Sequence, residues 1–504
     1  MDRLGRLSKP SAGDVIAGIS VALVAIPQSL AYAELAGLPA QFGLYATALP
    51  SLLAAIFVSS KYLQTGPVAL TALLTFGALE ALAEPFSVDY ISLAALLALL
   101  VGLMRAALGL LRMGGVAYLL SEPVLMGFTT GAAILILSSQ LPKVFDIAPA
   151  GDGVLQDAWQ ALRSPGDWQW QALAFSAMTF VLIFGGRRLH KLFPGVLCAV
   201  LIGVVISEAG DYGGSIVGEL DGGFISLNFD FPWDSIGDLL LPAFAIALVG
   251  FAEPSSIART FAAEERLPWN ANREMFSQGV ANLASALSGA FPVGGSFSRS
   301  SLNRLAGATS AWAGAISGAF VLLALPLTPM LETLPRAILG AIVVGAVLKL
   351  INWRGIIGLI SESRPQAVVG IGTLVATLAS APRVERGVLI GVGLALSVHL
   401  FREMTVSAES EREGDTLTVT PHGVLWFASV PQVERSIRQQ LAEHAEVSHV
   451  VVDLHAVSRL DYSGAASLAR IVEELRAAEV RVEIVNVNPG ARRGVRVFID
   501  GLDD

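Results

Sequence analysis

Apolar stretches follow one another along the first 400 residues of the chain, separated by short polar connections. A helix that crosses a bilayer needs about 20 apolar residues, and fewer if it is broken. The membrane core contains no water, so backbone N–H and C=O groups must pair within helices there. We distinguish thirteen stretches, at residues 15–35, 40–58, 67–83, 91–111, 116–140, 170–185, 193–208, 236–255, 274–291, 297–326, 335–350, 366–381 and 384–401. Because 297–326 is long enough for two elements, the sequence predicts a polytopic α-helical membrane protein with about 14 segments.

Charged residues are unevenly distributed along the chain. They form 15% of all residues, whereas a soluble domain contains about 25%. However, 26 of the 75 charged residues lie in the last 100 positions. The composition changes near residues 408–415, which we interpret as a charged linker. We therefore predict a transmembrane domain at residues 1–404 and a soluble domain at residues 405–504.

Two breaks containing Gly and Pro interrupt otherwise apolar sequence, at residues 64–69 and 291–300. Pro67 suits the first turn of a helix, where its missing N–H would be unpaired in any case. A helix that begins inside the membrane presents unpaired N–H groups and about half a positive charge at that end. Two such ends that face each other form an anion site. Arg299 would add a full charge to this site, and the alternative is an anchor that reaches the headgroups.

Two further polar side chains lie within apolar stretches. Gln28 follows Pro27 in the first stretch, and we interpret it as an uncharged donor to a substrate; the alternative is a hydrogen bond between helices. Glu253 precedes Pro254 near the end of stretch 236–255, where a carboxylate costs about 2.5–3.5 kcal/mol to insert. We interpret Glu253 as a group that carries a proton, and the alternative is a carboxylate in the headgroup region.

The two halves of the membrane part show similar spacing. Gln28 precedes the first break by about 40 residues, and Glu253 precedes the second break by about the same distance. Broken segments at corresponding places in two halves indicate a binding site at the interface between repeats.

Several segments resemble the sulfate permease (SulP) family of anion transporters. The segments are 25–39, 43–45, 65–70 and 291–303, and residues 252–262 are most similar to the proton-coupled sulfate permeases of plants and fungi. The resemblance implies 14 segments in two inverted seven-segment repeats, divided into core and gate subdomains as in the uracil transporter fold. It also implies a homodimer.

The resemblance further implies where the anion is bound. It would lie between the amides of two half-helix ends, which are those of Val68 and Ala69 and those of Phe297 and Ser298. It would also contact the side chains of Gln28, Ser298 and Arg299, with Glu253 nearby. Some bicarbonate transporters of the family bind sodium through an acid in segment 8 and a hydroxyl four residues later. Ile257 occupies that later position here, which argues against sodium coupling.

The last 100 residues alternate between predicted strands and helices. Residues 416–430 resemble a hairpin that turns at His422-Gly423, and helices at 432–445 and 463–478 alternate with strands at 449–454 and 480–487. The segment 452–454, followed by the segment 460–464, resembles part of a STAS domain. Related anti-sigma-factor antagonists are phosphorylated on the hydroxyl residue after the second Asp, where this chain has Tyr462. We interpret Ser463 as the N-cap of the following helix.

These features together predict a secondary active transporter of a small inorganic anion, with proton-coupled sulfate uptake by alternating access. An ionised Glu253 would repel the anion, so the proton and the anion would favour each other's binding. We expect a multi-pass protein of the cell membrane, with a cytoplasmic STAS domain that could bind a cytoplasmic protein.

Other functions remain open at this stage. The substrate could be bicarbonate, a dicarboxylate, nitrate or chloride; the fold also suits a nucleobase transporter, although Arg299 argues against a neutral substrate. The chain could instead be an anion sensor or a scaffold. The single cysteine, Cys198, excludes an intrachain disulfide and a Cys-based metal site. No nucleophile–base set or basic patch suggests an enzyme or a nucleic-acid partner, and we expect no cofactor or metal.

Overall fold

The computed structural model describes residues 9–149, 151, 153–190, 192–404 and 408–489. The chain divides into two compact units, Met1–Leu394 and Ala395–Asp504.

The membrane part consists of helices. They are α1 (Ala12–Leu35), α2 (Gln41–Phe57), α3 (Ala69–Leu79), α4 (Val88–Leu110), α5 (Glu122–Phe145), α6 (Val154–Arg163), α7 (Trp170–Phe180), α8 (Gly186–Leu189), α9 (Gly195–Ala209), α10 (Ile236–Glu264), α11 (Ala271–Leu287), α12 (Phe297–Leu305), α13 (Trp312–Ala324), α14 (Arg336–Val347), α15 (Trp353–Glu362), α16 (Arg364–Ala379) and α17 (Val384–Met404). In the described part of the chain, eight helical segments are long and apolar enough to cross a membrane. The prediction of a polytopic helical membrane protein is confirmed.

The order of elements repeats between the two halves. In each half the third helix is short and follows a two-residue strand: β1 (Thr65–Gly66) precedes α3, and β2 (Gly294–Gly295) precedes α12. Each half also contains a short amphipathic helix after its fifth segment, α6 in the first half and α15 in the second. A π-helical stretch, Val181–Gly185, joins α7 to α8 into one segment. With the amphipathic helices set aside, the described helices form seven membrane segments in each half, as the fold prediction requires.

The boundaries of the predicted stretches agree with the helices to within a few residues, with one difference that affects the site. The stretch predicted at 236–255 is part of α10, which continues to Glu264. Glu253 therefore lies within a helix rather than near its end. Hydropathy decreases after Pro254 because the helix acquires exposed polar positions there, whereas the backbone remains helical.

The C-terminal unit is a small α/β domain. Its strands are β3 (Ala408–Glu413), β4 (Thr416–Pro421), β5 (Gly423–Leu425), β6 (His449–Asp453), β7 (Val457–Leu460) and β8 (Arg481–Val485), and its helices are α18 (Val430–Glu443) and α19 (Tyr462–Ala477). The main sheet has the order β3-β4-β6-β8, while β5 and β7 form a separate parallel pair. Only β3 is antiparallel to its neighbour in the main sheet. Alternate residues of β4 and β6, such as Leu417 and Val450, are fully buried in the domain core.

Two predictions about this domain are wrong. Residues 408–415 are not a linker, because Ala408–Glu413 is a strand that pairs with β4. The hairpin turn is at Gly414-Asp415 rather than at His422-Gly423, since β4 and β5 belong to different sheets. β3 is an edge strand, and edge strands often carry charged residues that prevent further pairing. Its composition therefore resembles that of a linker.

The N-cap of α19 also differs from the prediction. The Asp461 Oδ1 atom accepts a 2.6 Å hydrogen bond from the Gly464 N–H, and Asp461 has the extended backbone typical of an N-cap. Ser463 is already the second residue of the helix, so it does not occupy the capping position. The acceptor must precede the amide that it caps by two or three residues, which Asp461 does.

Candidate anion-binding site

The two breaks in the membrane part pair with each other. β1 and β2 are antiparallel, with Thr65 opposite Gly295 and Gly66 opposite Gly294. The Ser296 N–H extends the pairing by donating a 2.9 Å hydrogen bond to the Gln64 carbonyl oxygen. Helices α3 and α12 each begin two or three residues after these strands. Their N-termini therefore lie close to each other, next to the paired strands.

The N-termini of α3 and α12 differ in capping and exposure. Val68 is the N-cap of α3, and its side chain forms no capping hydrogen bond. Ser296 is the N-cap of α12, and its Oγ accepts a hydrogen bond from the Arg299 N–H at 3.4 Å. Val68 and Ala69 are buried, whereas Phe297 and Ser298 are exposed. The first amides of each helix lack intrahelical partners and can bind an anion that enters from the exposed side of α12.

Arg299 lies across the first break. Its side chain is 1% exposed, and its Nη2 donates a 2.6 Å hydrogen bond to the Pro67 carbonyl oxygen. Gly66 has a φ of +152°, and a Cβ added there would lie 2.9 Å from Arg299 Nη1. Only glycine therefore suits both this backbone conformation and the close approach of the guanidinium. The alternative that Arg299 is an anchor in the headgroup region is wrong, because the guanidinium lies within the fold.

Glu253 lies beside the second half-helix. Its carboxylate faces the backbone N–H of Phe297 and is within electrostatic reach of Arg299. Tyr32 of α1 is also within electrostatic reach of Arg299 and Glu253. Helix α10 contacts both α3 and α12. An acid from α10 and the guanidinium of α12 thus lie at the same half-helix N-terminus.

Gln28 lies one helical turn before Tyr32, on the same face of α1. This face is directed to the site, because Tyr32 lies near Arg299 and Glu253. Gln28 is buried, and its Oε1 atom has no hydrogen-bond partner among the described residues. Helix α1 contacts α3 and α12. The structure therefore brings the helices that carry all seven predicted site residues together around the paired breaks.

Polar side chains of α11, which sequence reasoning missed, hold the breaks in place. The Asn282 side chain binds both backbone groups of Val293: its Oδ1 accepts from the Val293 N–H at 2.9 Å, and its Nδ2 donates to the Val293 carbonyl oxygen at 3.1 Å. Gln278 Nε2 donates to Thr65 Oγ1 at 2.8 Å, and Ser285 Oγ donates to the Phe291 carbonyl at 2.6 Å.

These α11 residues share a pattern that could have been recognised in the sequence. Gln278, Asn282 and Ser285 are spaced by four and three residues, so they lie on one face of the helix. All three are fully buried. Polar side chains that are buried on one face of a helix indicate internal hydrogen bonding, but the sequence alone does not identify their partners.

Comparison with known proteins identifies families for both parts of the chain. The sulfate permease family matches residues 12–373, and the STAS domain matches residues 407–498. Sulfate transporter 1.3 of Arabidopsis thaliana is 30% identical over 95% of this chain and 80% of its own length. A probable sulfate transporter of Mycobacterium tuberculosis is 34% identical over 76% of this chain and 69% of its own.

Solved structures show the same fold. Murine Slc26a9, an anion transporter in the inward-facing state, has a TM-score of 0.88 at 21% identity, covering 99% of this chain and 89% of its own. The transmembrane domain of the cyanobacterial bicarbonate transporter BicA has a TM-score of 0.64 at 23% identity, covering 76% of this chain and 97% of its own. The family match covers more than half of the chain and includes both breaks, so this protein belongs to the sulfate permease family.

Proposed function

We propose that this protein takes up a small inorganic anion, sulfate first among them, in symport with protons and by alternating access. The observation that carries the proposal is the pairing of β1 with β2, which places two helix N-termini together beside the buried guanidinium of Arg299. The relatives named as sulfate transporters support sulfate as the substrate.

The anion is bound between the two helix N-termini. The amides of Val68 and Ala69 and those of Phe297 and Ser298 would donate to it, together with the Gln28 amide and Arg299; these groups are polar and lie around the paired breaks. The Arg299 Nε atom is buried and has no hydrogen-bond partner among the described residues, so it is a donor still available to an anion. Because each helix end contributes only a partial charge, release remains possible.

Glu253 couples the proton to the anion. Its carboxylate faces the Phe297 N–H, one of the amides assigned to the anion. When ionised, it competes with the anion for this amide and repels it. Protonation removes both effects, so proton binding strengthens anion binding and, by linkage, anion binding strengthens proton binding.

Protons are favoured over sodium by the residue one turn after Glu253. Ile257 occupies this position and is 3% exposed within an apolar cluster that includes Val58 and Phe261. Sodium needs oxygen ligands, and an Ile side chain supplies none. This supports coupling to protons.

The wider organisation is part of the same proposal. We assign residues 1–404, up to the end of α17 at Met404, to the transmembrane domain and residues 405–504 to the STAS domain. We assign the protein to the cell membrane as a homodimer with its STAS domain in the cytoplasm, where a cytoplasmic protein is the candidate partner.

Uptake of labelled sulfate into proteoliposomes tests the proposal. An inward proton gradient should accumulate sulfate above its external concentration, and a protonophore should abolish the accumulation. A panel of unlabelled bicarbonate, fumarate, nitrate and chloride identifies competing substrates. Sulfate flux that is the same with and without the proton gradient would contradict proton coupling. Saturable anion binding without any flux would favour the sensor or scaffold function.

A further inference from the structure

A second arginine, Arg105 of α4, is fully buried in the membrane part of the fold. Its three guanidinium nitrogens all donate to backbone carbonyls: Nε to Ala247 at 3.1 Å, Nη1 to Val293 at 2.9 Å and Nη2 to Ile246 at 2.8 Å. It forms no ion pair within 4.0 Å in the part of the chain that the structure describes. Each guanidinium nitrogen thus has a carbonyl acceptor, but neutral carbonyl groups do not supply a counter-charge.

The acceptors place Arg105 directly behind the candidate site. Val293 immediately precedes β2, and its peptide is the one that Asn282 holds. Ile246 and Ala247 lie in α10, about two turns before Glu253. Arg105 therefore connects α4 to the helix that carries Glu253 and to the break that begins α12.

Little protein separates Arg105 from the half-helix junction. A Cβ added to Gly250 would lie 2.4 Å from Arg105 Nη2, so the guanidinium packs against bare backbone of α10 at this glycine. The position that a Cβ would take on Gly294 is 3.4 Å from the Gly250 carbonyl oxygen and 3.4 Å from Val68 Cγ2. Close packing at Gly250 and Gly294 thus connects the guanidinium with the N-terminus of α3.

A buried charge without a counter-charge interacts with other charges that it does not contact, because the protein interior screens the interaction weakly. An anion bound at the paired breaks would bring a negative charge close to it. We propose that Arg105 is a positioning residue that supplies a fixed positive charge to the anion site from behind the paired breaks and thereby favours divalent over monovalent anions. This inference rests on the proposed function.

A charge effect can be distinguished from a purely structural one. The interaction energy between a fixed charge and an anion doubles when the charge of the anion doubles. If the fixed charge is removed, the factor by which affinity falls should therefore be squared for a divalent anion relative to a monovalent one. A structural tie that only holds the breaks in place would change both affinities by similar factors.

The test is equilibrium binding of sulfate and nitrate to the purified full-length protein, at one pH and ionic strength. In Arg105→Gln, which retains hydrogen-bond donors but no charge, we expect binding to weaken about 5-fold for nitrate and about 25-fold for sulfate. Arg105→Lys retains the charge and should preserve the sulfate-to-nitrate affinity ratio within about 2-fold. Arg112→Gln removes an exposed arginine just after α4 and is the matched control, with an unchanged ratio.

The outcomes separate this inference from the proposed function. Equal losses for both anions in Arg105→Gln, or no loss, would overturn the charge role while leaving transport intact. If Arg105→Gln does not fold, Arg105→Met, which is also uncharged, replaces it with the same expected losses for the two anions, and Arg105→Lys and Gly250→Ala serve as the variants that retain the charge. The Gly250→Ala methyl group displaces the guanidinium but keeps its charge, so the ratio should persist in both variants, and its collapse in either one refutes the inference. Wild-type protein that binds neither anion would refute the proposed function itself.

Discussion

The guanidinium of Arg299 in α12 is hydrogen-bonded to the carbonyl oxygen of Pro67, which precedes α3, at 2.6 Å. The two residues are 232 positions apart in the chain. The arginine of α12 therefore holds the break that precedes α3. This contact lies next to the two helix ends proposed to bind the anion. The geometry of the break depends on this side chain, and so would the proposed anion binding.

Replacement of Arg299 should weaken anion binding. Arg299→Ala removes a charge and a charge-assisted hydrogen bond, so we expect sulfate binding to weaken by about 10- to 100-fold. Arg304→Ala is the control, because Arg304 lies in the same helix but forms ion pairs with Glu264 and Glu265 at a partly exposed position. Such pairs contribute about 0–1 kcal/mol. Isothermal titration calorimetry would measure the sulfate affinity of both variants. An unchanged affinity in Arg299→Ala would show that the anion binds elsewhere.

Removal of the Glu253 carboxyl group should separate transport from its driving force. Glu253→Gln cannot exchange a proton, so a pH jump should no longer accumulate sulfate in proteoliposomes, whereas exchange of labelled for unlabelled sulfate should persist. Glu264→Gln, an exposed carboxylate at the end of the same helix, should retain pH-driven uptake. Accumulation by Glu253→Gln after the pH jump would exclude its coupling role.

The ion pairs of Glu34 should contribute to stability. Glu34, at the end of α1, has a side chain 3% exposed and lies 2.8 Å from Lys143 of α5 and 3.3 Å from Arg336 of α14. Glu34→Gln leaves two partly exposed cations without their acid, and we expect a loss of about 2 kcal/mol. The melting temperature in detergent would measure the effect.

The control for this prediction is Glu84→Gln, which neutralises an exposed carboxylate. It should leave the melting temperature unchanged. Equal melting temperatures for Glu34→Gln and the wild type would show that the cations find other partners.

The N-cap of α19 can be tested by hydrogen exchange in the full-length protein. Asp461→Ala removes the acceptor of the Gly464 N–H, and loss of an N-cap costs about 1 kcal/mol. Amides of the first turn of α19 should then exchange about 5-fold faster. Ser463→Ala is the control and should exchange like the wild type. Faster exchange in Ser463→Ala alone would restore the serine as the cap.

Much of the fold could be predicted because its signals are local. Long apolar stretches must be helices in lipid, and Pro67 and the glycines 294 and 295 mark where two helices begin inside the membrane. In the C-terminal domain, the prediction of a linker at residues 408–415 is wrong for an equally local reason. The charged strand β3 has the composition of a linker, and only its pairing with β4 distinguishes the two.

The sequence by itself therefore determined the helical membrane part, its two half-helices and the residue types around them, since each depends on neighbours in the chain and on the absence of water in lipid. Only the tertiary structure decided that β1 pairs with β2, that Arg299 is directed to Pro67, and that Arg105 is bonded to Val293, 188 positions away. A buried arginine has several possible acceptors in an apolar sequence. Which one it binds is decided when packing brings distant carbonyls within hydrogen-bond distance.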